Sequence, residues 1–391
     1  MMRIENILTP AAIGALMRPT VKATGLPAPA YTSSEFLGLE NELIFGPGWI
    51  YAGRAAEIPG PGDGRPVTIA GQPLILMRNR AGEIKAFHNV CSHRNALLLR
   101  QPCSGRAAIA CPYHAWTYDL DGHLIATPHV GGQGIHHAEG FDPSGLGLRG
   151  ARVEAWAGLL FVNLTGDAPP LGTWLKPVLQ RWSAYDFGQL RHGGGRSYEI
   201  RTNWKHAVEN YLESYHLPVV HPGLNSYSRM ADHYCFFAGE DAAGQGTTVY
   251  APGSKEGRSL PAMPLAAELV QRGEYPVFYP NLLTGLQADH FFLIDVIPVA
   301  PGLTRERFEI FFFGDAAMED SHGAIREQTI ERWNDVFLED LDVVERLQEA
   351  HASPAATGGR FSPVQDQAVH HFQRRLIERM QARESLARAA E

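Results

Sequence analysis

No run of about 18 consecutive apolar residues occurs in this sequence, so no segment has the length a membrane-spanning helix needs. The opening MMRIENILTPAAIGALMRPTVK lacks the basic start and unbroken apolar stretch of a secretory signal. No membrane contact and a cytoplasmic location are therefore expected. Blocks of one charge sign are missing too: 42 acidic and 34 basic residues are interspersed and give a net charge of −8, a poor match for a phosphate backbone. That argues against nucleic acid as a partner. The Gly-rich GGQG at 131–134 stands outside the strand–helix setting of a dinucleotide fingerprint, and the plant-type ferredoxin spacing of cysteines is absent. Cysteine is scarce, four in 391 residues, which cannot make a disulfide framework. Three of the four nevertheless fall within 21 positions, in CSHRNALLLRQPCSGRAAIACPYHAW, with a histidine close to two of them. In a reducing compartment that clustering reads as metal ligation.

What is present is ample apolar material, 45% of the residues, in a chain long enough for more than one domain. Residues 1 to 40 mix Pro, Gly and Ala and read as an arm. From there to about 168, short apolar runs such as PVTIA, PLILMRN and IKAFHNV alternate with Gly, Asp and Asn, which predicts an antiparallel β domain ending on GLLFVNL. LTGDAPPLG breaks that rhythm and places the boundary near 168. The remainder, 169–391, combines β-rich stretches (FYPNLLTGL, HFFLIDVIPV, RFEIFFFG) with two long amphipathic helices near 325–351 and 365–389. NWKHAVENYLESYHL has apolar or aromatic residues at close to helical spacing, and the simplest expectation is a helix ending near His216, before Pro218.

The clustered motif is Cys91-Ser-His93, seventeen residues, then Cys111-Pro-Tyr-His114, so each short arm offers one thiolate and one imidazole. A structural zinc site usually pairs like with like, whereas a two-iron cluster with two Cys on one iron and two His on the other draws one of each from two loops. Replacing anionic thiolates by neutral imidazoles raises the cluster's potential above that of an all-cysteine cluster. Cys103 lies between the arms without a paired histidine and reads as an ordinary thiol.

At these residues the chain resembles the Rieske domain of the ring-hydroxylating non-haem iron oxygenases. The likeness is carried by Cys91, His93, Arg94, Cys111 and His114 within NVCSHR and CPYHAWTYDLDGHL, with Trp116 at the family's aromatic position. Asn95 and Ala115 depart from it, standing where Gly is common. The resemblance implies an α+β chain: a Rieske domain holding a [2Fe-2S] cluster, then a catalytic domain with an antiparallel sheet surrounded by helices, of helix-grip type.

A second candidate centre lies in the stretch that ends YHLPVVHPGL. His216 and His221 are five apart, which on an unbroken helix turns the second imidazole about 140° from the first, so a shared metal requires a broken helix. Two histidines and one carboxylate form the facial triad of Fe(II) oxygenases. The residues alone leave Asp335, Asp340 and Asp342 open as the carboxylate. The family pattern of an acid, two residues, His, four residues, His matches Glu213, His216 and His221, and its acid pair on a C-terminal helix selects Asp340 in FLEDLDVVERLQ. By the same resemblance Glu213 bridges subunits, between His114 of one chain and His216 of the next. Glu at this position, where aromatic-ring dioxygenases carry Asp, is similar to the subgroup acting on quaternary ammonium compounds, which are trimers of one chain type.

The function implied is that of a terminal oxygenase, mono- or dioxygenase, using O2 and a small organic substrate. Its electrons come from NAD(P)H through a separate flavin/iron–sulfur reductase. A quaternary ammonium or betaine-type substrate with oxidative N-dealkylation is the expectation, and hydroxylation of an aromatic ring or acid is the alternative. Tyr234, Phe236, Phe278, Tyr279 and Phe292 are candidates for an aromatic cage around a methylated nitrogen. A plain electron carrier or a zinc-stabilised binding module competes; the carrier leaves more than 200 residues and the pair His216 and His221 unexplained. His136-His137 and His370-His371 read as surface or packing residues.

Overall fold

The apolar runs between Trp49 and Leu164 become strands because they alternate with Gly-bearing turns that let the chain reverse. The computed structural model describes residues 3–252 and 260–390. It divides into two compact units, Phe45–Thr173, and the residues up to Ile44 together with those from Trp174 onward.

In the first unit, six antiparallel strands run in the order Ile50–Arg54, Leu159–Asn163, Gly150–Trp156, Ile84–His88, Gln72–Arg78, Gly64–Ile69. A small three-stranded sheet of Ile109–Ala110, Thr117–Tyr118 and Leu124–Ala126 accompanies them. Ile75, Met77, Phe87, Leu98, Trp116 and Tyr118 form one buried cluster, and Cys91 and Cys111 belong to it. Both cysteines are thus delivered to the interior by the same packing that forms the domain.

In the second unit, seven antiparallel strands are ordered Leu190–Ile200, Leu303–Phe313, His290–Ala300, Leu282–Leu286, Gly273–Phe278, Ala242–Thr247, His233–Phe237. The long helix Gly323–Ala350 buries Trp333, Phe337 and Val344, spaced four and seven apart, so one stripe faces inward. Trp333 packs on Phe292 at 4.5 Å and Phe337 on Phe308 at 5.1 Å between ring centroids, seating that stripe on the sheet. Asp340 falls between Phe337 and Val344 on the same stripe. The arm before Ile44 is tied to this unit: the Lys205 ammonium lies 2.6 Å from Glu40, the Trp204 indole donates to the same carboxylate at 2.9 Å, and all three are buried.

The helix around the first histidine departs from expectation. It runs Trp204–Tyr211, capped by the Asn203 side chain on Lys205 N–H, and stops before His216. A separate short helix, Leu217–Val220, then begins with Pro218 in its first turn, where a missing N–H costs nothing. The break therefore precedes the proline. Among the described residues no helix is long and apolar enough to cross a membrane.

Candidate metal centres

The two cysteine loops are built alike. Cys91 N–H donates to Ala96 O and Asn95 N–H to Cys91 O; Cys111 N–H donates to Trp116 O and Ala115 N–H to Cys111 O, all at 2.8–3.0 Å. Each loop closes through a left-handed residue, Asn95 at φ 58° and Ala115 at φ 56°. These are the two departures noted in the sequence, standing where Gly is common, so the loops keep the glycine conformation and bear its steric cost. Cys91 and Cys111 are buried, while His93 and His114 are exposed, with ring centroids 4.8 Å apart. All four cysteines are free. Trp116 stacks on His93 at 4.7 Å. Tyr118 places its hydroxyl 3.2 Å from Cys91 Sγ and accepts from Ser92 N–H at 2.9 Å. Two buried sulfurs and two exposed imidazoles fit a cluster whose thiolate side is shielded and whose imidazole side reaches the surface.

At the second centre, His216, His221 and Asp340 offer ligand atoms that all lie within 4.8 Å of one another. Asp340 Oδ1 is 3.0 Å from His221 Nε2 and 3.8 Å from His216 Nε2. The opposite ring nitrogens are held by carboxylates: His216 Nδ1 by Glu213, and His221 Nδ1 by Glu339 at 2.7 Å. Each carboxylate fixes a tautomer with the proton on Nδ1 and the Nε2 lone pair free, the arrangement of metal-binding histidines. Burial works against the His221 cation, but Asp340 and Glu339 outweigh it, so its pKa in the metal-free protein lies above the ordinary value. A divalent cation would replace that proton. The donor set of two imidazoles and one carboxylate suits Fe(II) and leaves coordination positions open. Asp342 points elsewhere, paired with Arg346 at 2.6 Å, and Asp335 is exposed.

The centre opens on a pocket walled by Tyr211, Tyr275, Trp333 and Phe337. The five aromatic residues expected from sequence to surround the substrate are not among its lining. Tyr234 and Phe236 lie under the Arg181 guanidinium, 5.8 and 4.0 Å from their ring centroids, and Phe278 packs on Trp174 and Trp182. Tyr279 packs on Phe372, and Phe292 supports Trp333 from behind. Strand alternation is the reason. His233 and Tyr275 face the pocket, so Tyr234, Phe236 and Phe278, one or three positions away, face the other side. Glu339 and the four wall residues were not singled out in the sequence; the acid pair Glu339-Asp340 was the one available signal. Glu306, also unforeseen, shares a small cavity with Asp340, and burial, then the Asp340 charge, pushes its carboxyl up to about 8. His370 is a packing residue as expected, bonded to Thr20 and Leu16 O.

A family described as ring hydroxylating alpha subunit (catalytic domain) matches residues 187–382, and the Rieske [2Fe-2S] domain family matches residues 48–137. The glycine betaine monooxygenase oxygenase subunit of Chromohalobacter salexigens is 35% identical over 199 residues, 51% of this chain and 43% of that one. The carnitine monooxygenase oxygenase subunit of Acinetobacter baumannii is 28% identical over 355 residues, 88% of this chain and 91% of that one. The quaternary ammonium Rieske monooxygenase CntA, solved with an inhibitor, superposes with a TM-score of 0.78 at 25% identity, covering 94% of this chain and 98% of CntA.

Proposed function

Since the chain belongs to the ring-hydroxylating oxygenase alpha-subunit family, we propose that it is a terminal Rieske oxygenase that oxidises a small quaternary ammonium compound at a carbon next to nitrogen. Cys91, His93, Cys111 and His114 would hold the [2Fe-2S] cluster, and His216, His221 and Asp340 the mononuclear iron. When bound, these groups supply single-electron transfer and O2 activation respectively.

The chain's own residues do the rest. Glu213 and Glu339 keep the Nδ1 protons on His216 and His221, so both Nε2 lone pairs face the same point as Asp340. Glu213 would also carry electrons between subunits, from His114 of one protomer to His216 of the next. It already holds its His216 contact within the chain, and the exposure of His114 leaves the other end accessible. A homotrimer in the cytoplasm, served by a separate flavin/iron–sulfur reductase that draws on NAD(P)H, completes the reading.

One observation carries it: the triad converges at a pocket with four aromatic walls. Aromatic faces attract a methylated ammonium, and four of them line this pocket. The relatives named for glycine betaine and carnitine support the same class. The test is substrate-stimulated consumption of O2 and reductant by the reconstituted enzyme across choline, carnitine, glycine betaine and aromatic acids. Turnover of an ammonium compound with release of an aldehyde is expected; stimulation by the aromatic acids alone would sink the substrate class.

A further inference from the structure

The polar side of the pocket continues as a chain of hydrogen bonds to the backbone of Glu213. Gln245, on the strand Ala242–Thr247 and 8% exposed, aims its amide nitrogen at Glu213 O, 2.7 Å away, and Tyr211 O, 3.2 Å away. Two carbonyl acceptors require the two-proton nitrogen, so the side-chain oxygen must be the atom that faces His233 Nδ1 at 2.8 Å. An amide oxygen only accepts, which puts the His233 proton on Nδ1. Burial lowers the His233 pKa, and its Nε2 lies 3.0 Å from the Ser228 hydroxyl. The contacts run from Ser228 through His233 to Gln245, and Gln245 donates to the two carbonyls. Ser228, His233 and Gln245 all line the pocket that contains the triad. The carbonyls they reach sit at and just beyond the end of the helix Trp204–Tyr211, in a stretch that no regular helix holds until Leu217.

We propose that Gln245 is a positioning residue for Glu213, joining the backbone of the electron bridge to the wall of the substrate pocket through His233 and Ser228. The proposal rests on the reading of Glu213 as that bridge. The two amide donors set where the 211–213 backbone lies against the sheet, hence where the Glu213 carboxylate meets His216 Nδ1. Loss of the donors loosens His216 without touching any ligand.

Gln245→Met keeps the side chain's length and removes both donors. The iron-loaded variant is expected to surrender its mononuclear iron to a chelator about tenfold faster than the parent, within the range seen when outer partners of metal ligands are removed. Its cluster absorption should be unchanged, and oxidation of the reduced cluster in a single turnover should slow in parallel. Ser228→Ala breaks only the far end and should raise KM with no change in iron loss. If Gln245→Met does not fold, Gln245→Leu carries the same test, since it offers the two carbonyls no donor. A folded variant that keeps iron and oxidises its cluster like the parent overturns the proposal. Glu213→Gln is the reference: normal cluster oxidation there removes the bridge itself, whereas slow oxidation there beside a normal Gln245→Met removes only the role of Gln245.

Discussion

The candidate cluster ligands lie within 24 positions, Cys91 to His114, whereas the candidate mononuclear triad draws on positions 216, 221 and 340. The two sites differ accordingly in what holds them. Each cluster loop is closed by its own backbone, with the cysteine and the residues four and five positions later exchanging hydrogen bonds, and the domain core supplies only the floor under the sulfurs. The triad is closed locally only at His216, which Glu213 holds from three positions earlier. His221 is oriented by Glu339, 118 positions away, and Asp340 arrives on a helix seated by Trp333 and Phe337 against the sheet. A site made of adjacent residues can form wherever its loops form; a site made of distant ones exists only when the whole domain is packed. The first tolerates change around it, and the second reports on the integrity of the fold.

Asp340→Asn probes the contrast most severely. It is expected to cost at least about 100-fold in mononuclear iron affinity, more than removal of an outer partner, and to abolish oxygenation. The cluster's visible spectrum should be untouched. Iron analysis beside absorption checks this, and parallel loss of the cluster would break the claim that the two sites are held independently.

Glu339→Ala removes no ligand, yet should weaken mononuclear iron binding by roughly 10- to 100-fold, read by chelator competition, because His221 loses the carboxylate that fixes its tautomer. An unchanged affinity would mean that the distributed site needs less support than its geometry indicates.

The pH dependence sharpens the same point. The His221 pairing with Asp340 and Glu339 raises its folded pKa, so in the metal-free protein the associated stability is fully present below the unfolded histidine value and is lost as pH rises through the raised one. Metal competes with that proton, so iron affinity should climb over the same window. Melting temperatures at about pH 6 and about pH 8, with and without iron, should fall with pH for the metal-free form alone, by a few degrees.

Within the cluster domain, Tyr118→Phe deletes the hydroxyl 3.2 Å from Cys91 Sγ. Losing a hydrogen bond to a thiolate that carries more charge when the cluster is reduced should lower its potential by about 50 mV, equivalent to roughly 1 kcal/mol for one electron. Redox titration checks the sign.

The smallest effects belong to the two left-handed loop residues: Ala115→Gly relieves a left-handed alanine and should raise the domain's stability by about 1 kcal/mol. Asn95→Gly should gain less, because asparagine tolerates that conformation. Cluster bleaching on heating ranks the two, and a destabilised Ala115→Gly would show that the methyl group packs usefully.

Legibility in the sequence followed the same divide. Cys91, His93, Cys111 and His114 could be read together because loop chemistry is written in adjacent letters. The strands PLILMRN and IKAFHNV were visible because period and turn residues are local, and they appear as Gln72–Arg78 and Ile84–His88. The helix end near His216 was misplaced because a proline was read as a terminator when it stands in the first turn of the next helix. The aromatic wall was missed for a different reason. Tyr234 and His233 are neighbours in the chain but lie on opposite faces of a strand, and nothing in the letters says which face the metal will occupy.

The sequence by itself determined the two thiolate–imidazole arms, the pair of histidines, and the β-rich then mixed character of the two parts, since each depends on spacing along one stretch of chain. Only the tertiary structure decided which acid lies beside the histidines, which carboxylates hold their rings, and which aromatic residues line the cavity. Those choices depend on the face of a helix or strand that packing turns inward, and that is fixed by contacts between residues a hundred or more positions apart.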